Sequence, residues 1–174
     1  MDFKTADLCD AHSDVLQIAE PMLSDFGGRA GFAGSIETIK TFEDNTQVRA
    51  TLETAGKGRV LVVDGGGSLR CALLGDNLAK LAIDNGWSGV IVNGCIRDSG
   101  DIAGMDIGVK ALATHPLKSL KQNYGQVGAT VSFAGVTFRP GEWVLVRRRN
   151  RNFQESVVDC AARCRQVRMD WDPI

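Results

Sequence analysis

The pair Arg97-Asp98 follows directly on an apolar, β-branched run, Gly89-Val90-Ile91-Val92-Asn93, and its continuation Gly94-Cys95-Ile96. A guanidinium there offers a bidentate clamp for a carboxylate or phosphate. A carboxylate beside it can hold Mg²⁺ or Mn²⁺, which accept oxygen ligands and keep several waters. Upstream, Gly75-Asp76-Asn77-Leu78 opens a segment that reads as a helix over 76–85, with Asp76 at its cap. The first turn of a helix carries backbone N–H groups without partners and the positive end of the dipole, so it can seat an anion. Both groups follow strands, and α/β sheets gather ligands at the carboxyl ends of their strands. Together they describe a site for a small anionic oxo acid with a divalent ion. The same residues also fit a plain helix cap and a surface ion pair, and spacing alone does not choose between the two.

Other motifs fail on their chemistry. Gly65-Gly66-Gly67-Ser68-Leu69-Arg70 follows a strand, but Arg70 stands where a dinucleotide fingerprint needs its third glycine, and no long helix opens directly after it. The same loop is a poor seat for a methyltransferase cofactor and reads as a tight turn. Gly56-Lys57-Gly58 lacks the Ser or Thr and the upstream glycine of a phosphate-binding loop. His12 sits on a helical stripe with Leu8 and Val15, as a core or half-buried histidine would, and His115 precedes Pro116 without an evident partner. Cys71 and Cys95 flank the proposed crevice and read as small buried hydrophobes.

The elements that must position Asp76, Arg97 and Asp98 follow from periodicity. Thr5 can cap a helix whose apolar stripe runs Leu8, Ala11, Val15, Leu16 and Ala19, ending at Glu20-Pro21. Gly31 to Lys40 is a glycine-broken β segment. Asp44 or Asn45 can cap a second helix carrying Val48, Leu52 and Ala55. Arg59 to Asp64 and Gly89 to Asn93 are short β-branched runs suited to strands covered on both faces. The order strand, glycine loop, helix, strand marks a right-handed βαβ crossover and a parallel sheet segment. A short helix near 99–105 and β segments at 107–113 and 130–138 complete the pattern.

Length and composition bound the rest. At 174 residues the chain fits one domain, and 44% hydrophobic with 24% charged residues is an ordinary globular balance. A net charge of −1 gives no electrostatic footprint for nucleic acid or an anionic membrane. No run of eighteen apolar residues and no secretory start are present, so a soluble, cytoplasmic protein is expected. Five cysteines without CxxC spacing and two histidines exclude a disulfide framework and a zinc cage, so any metal is held by oxygen.

Arg59 to Asp98, read as RVLVVDGGGSLRCALLGDNLAKLAIDNGWSGVIVNGCIRD, closely resembles the RraA-like family. That family holds regulators of ribonuclease activity and divalent-metal (class II) 4-hydroxy-4-methyl-2-oxoglutarate aldolases. The resemblance runs back through TADLCDAH (5–12), FGGRAGFAG (26–34) and FEDN (42–45), and forward through MDIGVKALATHP (105–116) and GVTFRPGEW (135–143). The aldolase branch is marked by an aspartate, twenty residues, then Arg-Asp, which Asp76 and Arg97-Asp98 match. By that resemblance Gly75, Asp76, Asn77 and Leu78 contact the substrate, Arg97 binds it and Asp98 holds the metal. The implied fold is a single compact α/β domain, α/β/α or swivelling β/β/α, with a central mixed sheet, commonly a homotrimer with sites between subunits.

The activity implied is metal-dependent cleavage of a 4-carboxy-2-oxo acid to pyruvate, with oxaloacetate decarboxylation alongside, since both pass through the pyruvate enolate. Arg97 would stabilise that enolate, and Asp76 is the candidate for assisting proton transfer. The rival is a non-catalytic regulator that binds ribonuclease E; the resemblance implies that this branch loses the aspartate after the arginine, which Asp98 keeps.

The chain changes character near residue 142. All twenty glycines lie at or before Gly141 and all seven lysines at or before Lys121, whereas seven of thirteen arginines fall between Arg147 and Arg168. The family-like domain is therefore expected to span 1–143, with an atypical arginine-rich tail over 144–174. Its run Arg147-Arg148-Arg149-Asn150-Arg151 reads as a solvated charge run. A shifted reading frame would produce such a tail, and the encoding DNA read in neighbouring frames tests that.

Overall fold

The computed structural model describes residues 5–147 and 159–162. Four helices lie among them: α1 (Thr5–His12), α2 (Thr46–Leu52), α3 (Asp76–Asp84) and α4 (Ser99–Ile102). The first six strands are β1 (Leu16–Ile18), β2 (Ser24–Asp25), β3 (Gly31–Lys40), β4 (Val60–Asp64), β5 (Ala72–Leu74) and β6 (Gly89–Ile96). Then come β7 (Gly108–Thr114), β8 (Gln126–Val127), β9 (Val131–Phe133), β10 (Val136–Phe138), β11 (Trp143–Arg147) and β12 (Asp159–Ala162).

One mixed sheet runs in the order β1-β12-β11-β3-β4-β6-β7-β2, with β5 added to β6 and β8 to β3. Its centre, β3-β4-β6-β7, is parallel, as the two β-branched runs and their crossover require. Every residue of β4 and β6 is buried, because both faces are covered. Alternation sorts the side chains. Leu61, Val63, Val90 and Val92 pack with Val48 and Leu52 of α2 and Leu78 and Ala82 of α3. Val60, Val62 and Ile91 pack instead with the β9-β10 hairpin through Phe133, Val136 and Phe138, and with Val144 and Val146 of β11. The layering is β/β/α, with each buried Val or Leu worth about 1.5–3 kcal/mol.

The carboxyl ends of β4, β6 and β7 point the same way, and α3 begins at that end. Its N-cap is Gly75 in an extended conformation, so Asp76 is the first helical residue and not the cap. The β segments at 107–113 and 130–138 are present as β7 and as the tight β9-β10 hairpin. The long first helix is not formed: α1 stops at His12, a turn follows with Val15 donating to the His12 carbonyl, and Leu16–Ile18 is a strand. Gln17 accounts for the difference, since its amide oxygen accepts from the Thr137 backbone at 3.0 Å and its Nε2 faces the Thr137 carbonyl at 3.4 Å.

Lys110, fully buried on β7, is held at 3.0 Å by Asp25 of the adjoining edge strand β2. The sheet takes in the chain beyond Glu142: β11 lies between β3 and β12 with Val144, Leu145 and Val146 buried. The remainder of the arginine-rich tail, 148–158 and 163–174, lies outside the described residues, as does most of the run beginning at Arg147. No described helix is long and apolar enough to cross a membrane.

Candidate active site

Two chain segments build the site, and one hydrogen bond joins them. β5 runs parallel to the end of β6, pairing Ala72 with Cys95 and Leu74 with Ile96. The next amide, that of Arg97, donates to the Leu74 carbonyl at 2.9 Å. This sets Gly75 and the start of α3 against Arg97 and Asp98. The approach is close: a Cβ on Gly75 would stand 2.9 Å from Asp98 Oδ2 and 3.1 Å from Arg97 Nε, so a larger residue would push those side chains aside. Asp98 turns the chain in the left-handed region at φ 54° and leads into α4, with its carboxylate 3.2 Å from Arg97 Nε.

A cavity of about 320 Å³ opens here, lined by Gly75, Asp76, Asn77, Leu78 and Arg97. Five of the six residues assigned to the site thus share one cavity, and Asp98, which is not among the lining residues, stands beside Arg97. The anion seat is narrower than four residues. The Leu78 amide already donates to the Gly75 carbonyl at 3.1 Å, while the Asp76 and Asn77 amides have no partner among the described residues. Asp76 accepts from Asn77 Nδ2 at 3.0 Å.

Sequence reasoning missed the facing wall. Asn45 and Arg49 of the α2 region and Lys118, Ser119 and Lys121 of the segment after β7 also line the cavity. Arg49, Arg97, Lys118 and Lys121 against the one lining carboxylate, Asp76, make a cavity for an anion with more than one negative charge. The signal available in the sequence was Lys118-Ser119-Leu120-Lys121 directly after a β segment, two cations around a hydroxyl. The segment is held by bridges from Lys118 to Ala72 and from Leu120 to Asp44. Asp44 is the organising residue. Only 2% exposed, it accepts from the amides of Thr46 at 2.7 Å, Gln122 at 2.6 Å and Tyr124 at 3.1 Å. Burial alone would raise its pKa, but those donors outweigh it and hold the carboxyl below its ordinary value. Asn45, not Asp44, is the N-cap of α2, yet Asp44 supplies the side-chain bond to its first turn.

The RraA-like family, described as Aldolase/RraA, matches residues 5–147, most of the chain. The chain belongs to the RraA-like family. Among its relatives, a candidate 4-hydroxy-4-methyl-2-oxoglutarate aldolase of Laribacter hongkongensis is 60% identical over 144 residues, 83% of this chain and 91% of that protein. A protein of the same name from Alkalilimnicola ehrlichii is 57% identical, over 83% of this chain and 89% of its own. A solved structure described as the RNA-processing inhibitor RraA of Thermus thermophilis superposes with a TM-score of 0.82 at 42% identity, covering 90% of this chain and 92% of that one. Another, titled an S-adenosylmethionine: 2-dimethylmenaquinone methyltransferase of Geobacillus kaustophilus, gives 0.83 at 46% identity over 92% and 95%.

In this RraA-like chain the glycine loop is folded on itself. The Gly65 and Gly67 amides both donate to the Asn93 carbonyl at 3.1 Å, and that of Gly66 to Asp64 Oδ1 at 3.0 Å. Amides that could cradle a cofactor are spent on the turn. Glu43 closes the loop, accepting from Ser68 Oγ at 2.5 Å and Arg70 Nε at 2.6 Å, and these bonds lower its pKa. Cys71 and Cys95 are buried free thiols, and burial raises the pKa of each. His12 ends α1 half-buried. His115 donates its amide to the Ile96 carbonyl at 2.8 Å, and its Nδ1 accepts from the Leu117 amide at 3.2 Å.

Among the described residues no three of His, Cys, Asp and Glu gather into a metal centre. A single carboxylate such as Asp98 suits Mg²⁺ or Mn²⁺, which can complete its shell with water and a chelating substrate.

Proposed function

We propose that this chain is a lyase that cleaves 4-hydroxy-4-methyl-2-oxoglutarate to pyruvate, using a divalent ion held by Asp98. The observation that carries the reading is the juxtaposition of Arg97 with the two free amides of Asp76 and Asn77 in one cationic cavity. The names of relatives at 57–60% identity supply the reaction. Asp98, beside Arg97, would hold the ion, whose chemistry when bound is to polarise the 2-oxo group as a Lewis acid.

The chain's own residues do the rest. The Asp76 and Asn77 amides take the substrate's C1 carboxylate at the positive end of α3. Cleavage of C3–C4 leaves its electron pair on C3 and turns the C4 hydroxyl, after loss of its proton, into the carbonyl of the first pyruvate. Negative charge grows on the C2 oxygen of the remaining half, and the Arg97 guanidinium is set to stabilise it. Asp76 assists the proton transfers at the cavity wall. The C3 carbon then takes a proton, giving the second pyruvate. Oxaloacetate decarboxylation follows from the same arrangement, because loss of CO₂ yields the same enolate. Three copies sharing sites at their contacts, and a cytoplasmic setting, belong to this reading.

Pyruvate release from 4-hydroxy-4-methyl-2-oxoglutarate, measured for the native chain and for a folded Arg97→Ala chain, tests it. Equal turnover by the two would overturn it. A second reading rests on the Thermus relative described as an RNA-processing inhibitor. In that reading the chain binds ribonuclease E, and a pull-down with that enzyme, with and without divalent ion, tests it directly.

A further inference from the structure

Of the four cations lining the cavity, two are committed. Arg97 faces Asp98 at 3.2 Å, and Arg49 Nε bonds Glu53 at 3.0 Å. Lys118 and Lys121 make no ion pair among the described residues. Ser119 stands between them in sequence and is 5% exposed, yet its Oγ is enclosed without a hydrogen-bond partner. A buried hydroxyl left unsatisfied costs about 1–3 kcal/mol and calls for an explanation. Its place is fixed: the Ser119 amide donates to the Ala72 carbonyl at 3.3 Å, and Lys118 bridges to the same residue, three positions before Gly75.

We infer that Ser119, with Lys118 and Lys121, forms the subsite for the carboxylate on the far side of the bond that breaks. The inference rests on the lyase reading and deepens it by naming what selects a substrate with a second carboxylate. The Asp76 and Asn77 amides and Arg97 take the pyruvate half, so Ser119, whose enclosed hydroxyl has no partner, and the two lysines that line the same cavity without an ion pair are left for the other half. Rotation of the Ser119 side chain about χ1 turns the enclosed hydroxyl to donate one hydrogen bond to the carboxylate, and the ammonium groups balance its charge. These residues bind and orient; none exchanges a proton with the reacting carbons.

Two assays separate the halves of the substrate. Cleavage of 4-hydroxy-4-methyl-2-oxoglutarate needs both carboxylates, whereas deuterium exchange at C3 of pyruvate in D₂O, followed by NMR with Mg²⁺ present, needs only the pyruvate half. For Lys118→Gln/Lys121→Gln and for Ser119→Ala, kcat/KM for cleavage should fall by about 10–100-fold, the range for hydrogen bonds to a charged group. Pyruvate exchange should stay within about twofold, which also reports an intact fold, and Lys118→Arg/Lys121→Arg should restore most of the cleavage. Equal losses in both assays, or undiminished cleavage, would overturn the subsite while leaving the lyase reading in place. A native chain that neither cleaves nor exchanges would overturn both.

Discussion

The Leu74 carbonyl and the Arg97 amide, 2.9 Å apart, fix the candidate site more firmly than any side-chain contact does. Through this bond the end of β5 is registered on the end of β6, so the residue after Leu74 must lie beside the residue after Arg97. The first is Gly75 and the second Asp98.

Gly75→Ala tests that closeness. The backbone at Gly75 is extended, φ −137°, and accepts any side chain, so the cost is confined to the new Cβ, 2.9 Å from Asp98 Oδ2 and 3.1 Å from Arg97 Nε. Displacing those two groups by a few tenths of an ångström is expected to lower kcat/KM by about 10-fold. The thermal midpoint should hardly move, because the carboxylate and guanidinium are partly exposed and can shift. A large stability loss with normal turnover per folded molecule would contradict this account.

Arg97→Ala removes the group that meets developing charge, and a loss of about 10²–10³-fold in kcat is expected. Arg97→Lys keeps the charge and loses the planar fork, so it should fall between the two. Steady-state kinetics with both 4-hydroxy-4-methyl-2-oxoglutarate and oxaloacetate should give the same ranking for each substrate, since the enolate is common to them.

The parallel centre of the fold and the Asp76, Arg97 and Asp98 cluster could be read in the sequence because they follow from local pattern. Arg59 to Asp64 and Gly89 to Ile96 are β-branched runs buried on both faces, and the helix between them ends one residue from where its periodicity sets it. The facing wall was not legible in the same way. Ser119 and its lysines lie in irregular backbone, carry no period, and reach the cavity through distant partners: Ala72, which pairs with this segment, and Asp44, more than seventy residues away, which accepts the amides of Gln122 and Tyr124. β1 was hidden for a related reason: Leu8, Ala11, Val15 and Leu16 keep helical spacing, and only the distant Thr137 backbone shows that Gln17 belongs to a strand. Contacts of long sequence separation override a short periodic signal.

Asp44→Asn tests the scaffold of that wall. The amide keeps one acceptor oxygen but turns a donor toward backbone N–H groups, which is expected to cost about 1–3 kcal/mol in urea unfolding at neutral pH. The pH dependence has a definite sign. Because the Asp44 carboxyl is held below its ordinary value in the folded chain, its contribution is present above the ordinary carboxylate range and is lost as pH falls through the lowered value. The stability gap between the native chain and Asp44→Asn should therefore narrow on acidification. A gap that widened toward low pH would mean that the bonds from Thr46, Gln122 and Tyr124 do not favour the charged form.

Removal of the divalent ion should abolish turnover and leave the fold unchanged. In the proposed reading the ion depends on Asp98 and the substrate for its place, so it would contribute little to folding. EDTA is expected to stop pyruvate release from oxaloacetate without altering the unfolding midpoint, and added Mg²⁺ or Mn²⁺ should restore it. Asp98→Asn should behave at ordinary ion concentrations as the native chain does in EDTA, and recover in part at high concentration, because an amide oxygen is a weaker ligand than a carboxylate. Free divalent ions decarboxylate oxaloacetate by themselves, so each rate must be taken above a metal-only control. Full activity in EDTA would remove the ion from the mechanism and leave Arg97 and the Asp76 and Asn77 amides to stabilise the enolate alone. A collapse of the fold in EDTA would instead place the ion at a structural site unrelated to Asp98.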